Sequence, residues 1–178
     1  MVALRLLIGC AVIAIGVADA RAVERKYETA MGLIVVDVDS GWTGVRQMPD
    51  NLNGIGFQVG DGRAMQFLLG AIDEMPPDGT DIVGLRRFAD ALRRSEANDK
   101  IIVSDTLLSI SGPQFRGYYY LATNSAAVPA PGDYKHMYTG FILAGSNPLM
   151  FTIAWNTGGK PAADRALHAV RTLTLAPR

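Results

Sequence analysis

Met137-Tyr138-Thr139-Gly140-Phe141-Ile142-Leu143-Ala144, then Gly145-Ser146-Asn147-Pro148, then Leu149-Met150-Phe151-Thr152-Ile153-Ala154-Trp155-Asn156, is the stretch whose reading decides the fold. Two β-rich runs flank a short connection of turn-forming residues, the pattern of an antiparallel hairpin. In the second run Phe151, Ile153 and Trp155 alternate with Thr152, Ala154 and Asn156, so one face is bulky and the other smaller and more polar. A bulky sheet face needs a cover. The next segment supplies one: Gly158-Gly159 leads into a helix from about Pro161 to Thr172, on which Ala163, Leu167 and Val170 form an apolar stripe.

Upstream of the hairpin, Ile101 to Ile110 and Phe115 to Thr123 read as two further strands, joined through Ser111-Gly112-Pro113. The connection to the hairpin carries Pro129-Ala130-Pro131-Gly132-Asp133, so the four strands form a meander. A helix precedes them. Thr80 or Asp81 caps it, and Ile82, Leu85, Phe88, Ala89 and Leu92 recur with helical period, while Arg86, Arg87, Asp90, Arg93, Arg94 and Glu96 take the other side. Met75-Pro76-Pro77-Asp78-Gly79 breaks the chain before it. Gly54 to Val59 and Ala64 to Ile72 form a second hairpin around Gly60-Asp61-Gly62-Arg63, and Leu33 to Val36 is a strand running into a turn before Trp42. Arg21 to Thr29 reads as a polar lead-in. The expected class is α+β, a three-layer α/β/α sandwich with a central antiparallel sheet.

The 178 residues are one ordinary domain in length, 49% hydrophobic and 19% charged, which suits a packed core and not a disordered chain. Lys plus Arg equals Asp plus Glu, 17 each, so no global field favours nucleic acid or an acidic membrane. Arg5, the apolar run Leu6 to Val17 and Ala18-Asp19-Ala20 read as a secretory signal peptide, residues 1–20, ahead of a single domain, residues 21–178. The run is too short for a permanent transmembrane helix. Leu7-Ile8-Gly9-Cys10 resembles a lipobox, though only four apolar residues separate Arg5 from Cys10. Cleavage after Ala20 removes Cys10, the only cysteine, so disulfides, thiolate metal sites and a cysteine nucleophile drop out. The expected compartment is the periplasm, with an extracellular location as the alternative.

Signatures of chemistry are sparse. No G-x-S-x-G elbow, H-E-x-x-H pair, P-loop or complete dinucleotide fingerprint occurs. His168 lies opposite the apolar stripe of its helix and reads as solvated; His136, after Tyr134 and Lys135 at a strand start, is the better candidate, without the spacing of a metal triad. Asp37 and Asp39 share a strand face, a pattern that fits turn capping better than a calcium loop. Tyr118-Tyr119-Tyr120 with Arg116 resembles a stacking surface, although consecutive strand residues alternate in direction and at most two share a face. Arg86-Arg87 and Arg93-Arg94 make a basic stripe that suits an acidic partner or simple solvation.

Ser40-Gly41-Trp42, Gly117-Tyr118-Tyr119-Tyr120-Leu121-Ala122-Thr123-Asn124, and Tyr134-Lys135-His136-Met137-Tyr138-Thr139-Gly140 leading to Leu149-Met150-Phe151-Thr152-Ile153 resemble the PsbP, Mog and DcrB group of small α/β/α sandwiches over most of the chain. The resemblance implies a central antiparallel sheet with helices on both faces, no shared catalytic residue set, and a binding, assembly or chaperone role. The export signal is closer to the DcrB type. The expectation is a non-catalytic exported module that binds another protein or an envelope component, with Trp42, Arg87, Arg94, Arg116, Tyr119, Tyr134 and His136 as candidate binding residues. No catalytic residue, metal or cofactor is expected. The alternatives are a secretion-associated chaperone or immunity protein, and a periplasmic hydrolase using His136 with a carboxylate.

Overall fold

The computed structural model describes residues 22–29, 32–44, 53–72 and 81–176. The signal-peptide reading and the Pro76-Pro77 break lie outside the described residues. Eleven strands and two helices are assigned among those described. The decisive hairpin forms as read: β9 (His136–Ala144) and β10 (Asn147–Trp155) pair in unbroken register, with Phe151 opposite Gly140 and Trp155 opposite His136. Gly145 opens its two-residue turn at φ +63°, the first central position at which a II′ turn requires positive φ.

β4 (Asn53–Val59) and β5 (Met65–Ala71) form the second hairpin, and β5 joins β10. With β3 (Thr43–Gly44), β6 (Ile101–Val103) and β8 (Phe115–Asn124) they build one antiparallel sheet in the order β3-β4-β5-β10-β9-β8-β6, and β7 (Leu108–Ser111) pairs with β8 beside β6. The single strand expected over Ile101 to Ile110 is therefore two. Ser104 interrupts it: its hydroxyl accepts from Leu121 N–H at 3.3 Å and donates to Thr106 C=O at 3.1 Å, a local turn that replaces ladder pairing.

The polar lead-in also needs correction. Its residues form β1 (Ala22–Thr29), which pairs along its length with β2 (Gly32–Asp39). Most of its side chains are exposed, so hydrophobic alternation never marks it, and backbone pairing alone makes the strand. β11 (Thr174–Ala176) pairs with the other edge of β2, giving a three-stranded sheet, β1-β2-β11.

α1 (Ile82–Glu96) begins at Asp81, whose Oδ1 accepts from the N–H groups of Val83 and Gly84, both at 2.8 Å. Leu85 and Ala89 are buried against Tyr120 and Phe141, and Phe88 meets Phe141 edge-on with ring centroids 5.1 Å apart. α2 (Lys160–Thr172) lies in the other core, where Ala163, Ala166 and Val170 are fully buried with Phe67, Phe151 and Ile153. That core also takes in Ile34, Val36 and Val38 of β2. The large sheet thus has α1 on one face, and α2 together with the small sheet on the other. The molecule is mixed α+β, dominated by sheet, and the second covering layer is composite where a plain sandwich would have helix alone. No described helix is long and apolar enough to cross a membrane.

Candidate functional site

At the end of the large sheet where β8 passes into β9, residues 125–135 form a long loop. Pro129 and Pro131 lack N–H donors and bar it from strand pairing. Its backbone is nevertheless tied down at both ends. Ser125 N–H donates to Lys100 C=O at 2.7 Å, Asn124 N–H to Lys135 C=O at 2.9 Å, and Lys135 N–H to Asn156 Oδ1 at 2.8 Å. Asn156 Nδ2 in turn donates to Arg63 C=O at 2.9 Å, which joins the loop to the β4–β5 turn. The Lys135 ammonium is committed as well, donating to Asn124 C=O at 2.6 Å and Ala126 C=O at 2.7 Å. Such bracing makes the loop a preformed edge, with Val128 84% exposed near its tip.

Tyr134 and His136 stand at the base of this loop. Tyr134 is half-buried and its hydroxyl donates to Gly62 C=O at 2.9 Å; burial, and then the Asp61 carboxylate, push the phenol above its ordinary range. The position of His136 follows from register: Thr123, His136 and Trp155 are aligned across β8, β9 and β10. Its Nδ1 lies 3.2 Å from Thr123 Oγ1 and its ring stacks on Trp155, centroids 5.3 Å apart. Burial, and then the Lys135 charge, hold the imidazole below its usual range, so it is neutral at pH 7. The polar partner of the ring is a hydroxyl, whereas general-base chemistry of the hydrolase kind asks for an orienting carboxylate.

On the α1 side of the same end lies a cleft of about 460 Å³, lined among others by Glu96, Asn98, Ile101, Ala122, Met137 and the loop from Gly132 to His136. Glu96 closes its inner end. Position 96 continues the spacing of Leu85, Ala89 and Leu92, so the last residue of α1 turns toward the sheet and not toward water as the sequence reading had it. Below it Tyr120 and Thr139 are directly paired across β8 and β9, and both are buried. Glu96 Oε2, Tyr120 OH and Thr139 Oγ1 are sealed from solvent without a well-formed hydrogen bond. Burial pushes the Glu96 carboxyl above the usual carboxylate range, an effect the Tyr120 hydroxyl only partly offsets. Burial and the Glu96 charge push the Tyr120 phenol up in turn.

The other candidate residues do not join this end. Trp42 and Tyr119 are core residues, 5% and 7% exposed: Trp42 packs edge-on against Phe67 and Tyr119 against Tyr138, because both face the α2 side of the sheet. Both side chains are thus largely withdrawn from solvent, Trp42 reaching only the wall of a cavity it shares with Arg25 and Tyr27. Arg116 is exposed on β8 beside a separate groove at the N-terminal end of α1. The basic stripe is largely compensated within α1. Arg94 and Arg93 both bind Asp90, Arg93 also donates to Ser104 C=O at 2.6 Å, Arg87 interacts with Asp81, and Arg86 lies over the Tyr118 ring at 5.8 Å. Asp39 serves structure, accepting from Gly41 N–H at 2.9 Å and Arg165 Nε at 3.0 Å, and His168 is exposed. No group of three or more His, Cys, Asp or Glu suited to a metal occurs among the described residues.

No family model matches the sequence, and no curated protein matches it. Among solved structures, the solution structure of cyanobacterial PsbP (CyanoP) from Synechocystis sp. PCC 6803 matches 96% of this chain and 99% of its own, with a TM-score of 0.55 at 12% identity. The fold is PsbP-like. The PsbP-like fold is thereby carried with almost no shared sequence, so side-chain roles rest on this chain's own geometry.

Proposed function

We propose that this PsbP-like chain is a non-catalytic binding or assembly module, exported through a cleavable signal peptide to the periplasm, whose partner is another protein or an envelope component. In this reading the architecture is a three-layer sandwich with a composite third layer, and the loop of residues 125–135 is the binding edge. The observation that carries it is the braced loop. Eleven residues without regular structure, pinned by Lys135, Asn124 and Asn156 yet presenting exposed Val128, form an ordered contact edge with little entropy left to lose on association. The Thr123 partner of His136 supports binding over hydrolysis, since a catalytic imidazole depends on its orienting group.

The test is complementation of a strain lacking the protein, combined with capture of partners from its envelope. His136→Ala keeps the phenotype, whereas Val128→Asp, a surface change with little effect on stability, weakens capture. Arg87→Glu with Arg94→Glu weakens an acidic partner, and the loss shrinks as salt rises. A folded but inactive His136→Ala protein beside a normal Val128→Asp protein overturns the binding reading in favour of the hydrolase.

A further inference from the structure

The Glu96 cleft has features the braced loop does not explain. A half-buried carboxyl without a cation is costly, and two cations of this region are otherwise engaged: Lys135, in the cleft lining, with two carbonyl oxygens, and Arg93, one turn before Glu96 on α1, with Asp90 and Ser104. Among the described residues no ion pair involves Glu96. The floor beyond it is apolar, since Ala122 is small enough to leave room between β8 and α1, and Met137 is a flexible thioether that adapts to what lies on it. Asn98 is spent on its own turn, its Oδ1 accepting from Lys100 and Ile101 N–H groups and its Nδ2 donating to Glu96 C=O; Asn124 Oδ1 accepts from Ala126 N–H, and the Asp133 carboxylate is exposed to water, so Glu96 is the half-buried carboxyl left to meet a ligand. The cleft volume lies in the small-molecule range.

We propose that this cleft binds an amphipathic primary amine, its alkyl body on Ala122 and Met137 and its ammonium on the Glu96 carboxylate. An ammonium brings three donors and the missing positive charge, so it satisfies the carboxylate, whereas an anion meets like charge and an alcohol leaves the charge unpaired. Such a group is carried by a free alkylamine and equally by a lysine side chain of a docked protein. The proposal rests on the reading that this end of the sheet is the binding end, and names the chemistry recognised there.

The experiment titrates the full exported chain with hexylamine, hexanol and hexanoate, three probes sharing one alkyl chain, and follows amide shifts by NMR. Hexylamine binds about tenfold or more tightly than hexanoate, with shifts centred on Glu96, Ala122 and Met137, and Glu96→Gln lowers hexylamine affinity about tenfold, to the level of hexanol. Removing the charge does not destabilise the fold, and a thermal midpoint of Glu96→Gln at or above that of wild type confirms it. Hexanoate binding as tightly as hexylamine in the wild-type chain, or an amine preference that survives Glu96→Gln, overturns the proposal. A lysine-bearing hexapeptide that competes with hexylamine assigns the ammonium to a protein source; one that does not compete assigns it to a free amine. Envelope capture by Glu96→Gln equal to wild type, with no amine preference, refutes this inference while leaving the binding-module reading standing.

Discussion

Gly140→Ala tests the core at the decisive hairpin. Gly140 lies opposite Phe151 across β9 and β10, and a Cβ there would stand 2.8 Å from Phe151 Cε2 and closer still to Cζ and Cε1. Carbon atoms in contact are normally about 3.5–4.0 Å apart, and Cζ and Cε1 are the nearest atoms, so the ring must retreat by roughly 1.5 Å or more. It has little freedom to do so: Phe151 is 0% exposed and packs beside Tyr119 at 6.3 Å between ring centroids. Overpacking of this kind costs about 1–3 kcal/mol, and the upper end applies to a ring enclosed by two strands and a helix. Replacing glycine in a strand recovers roughly 0.5–1 kcal/mol of chain entropy, so the net loss is about 2 kcal/mol, or about 4–8 °C in Tm. Urea denaturation of wild type, Gly140→Ala, Phe151→Leu and the double variant forms a cycle. Leucine vacates the space the new methyl needs, so the double variant is more stable than the sum of the single effects by about 1 kcal/mol or more. A Gly140→Ala midpoint within error of wild type, or strict additivity, would refute the packing described.

Trp155→Ala costs about 3–5 kcal/mol in the same assay, because Trp155 is buried against His136 and Tyr138; an unchanged midpoint would place that face in solvent. His136, with its folded pKa held below the unfolded value near 6.5, contributes stability present above that pH and lost as pH falls through the lower folded value. Relative to His136→Gln, the wild-type chain loses stability on acidification from pH 7.5 to 5.5, and a constant difference contradicts the assignment. Glu96, whose folded pKa is raised, works in the opposite sense, so Glu96→Gln gains stability relative to wild type as pH rises above the unfolded value near 4.5. Intact-mass analysis of exported protein finds an N-terminus at Arg21 or within a few residues; a lipid-bearing Cys10 or a retained Met1 contradicts the export reading.

The two hairpins, α1 and α2 were legible because their side chains divide cleanly between core and water: Phe151, Ile153 and Trp155 on one strand, Leu85 and Ala89 on one helix. β1 was not, since Glu24, Arg25, Lys26 and Glu28 are exposed and no buried face imposes alternation. β11 is three residues long, too short for any period. Tyr134 and His136 do lie beside the proline-rich loop, a place readable from their position in the sequence. Trp42 and Tyr119 were misplaced because an aromatic near a turn or in a tyrosine run has the same local signature whether it faces a partner or a core. Glu96 reads with Arg86, Arg87, Asp90, Arg93 and Arg94 as part of the polar side of α1; only its spacing from Leu92 signals the turn toward the sheet, and that sheet is distant in sequence.

β2 pairs with β1 on one edge and β11 on the other, so the earliest and latest described strands share one neighbour. The contact between Val35 and Thr174 closes a loop spanning most of the chain, at a closure entropy of roughly 4 kcal/mol. During synthesis, therefore, β2 keeps an open edge until β11 emerges, and Ile34 and Val36 lack their full cover until α2 has been made. Folding of this domain is gated by its last segment. A nascent chain stalled after β10 is an unsealed sheet with a template edge, a species for holding factors to guard.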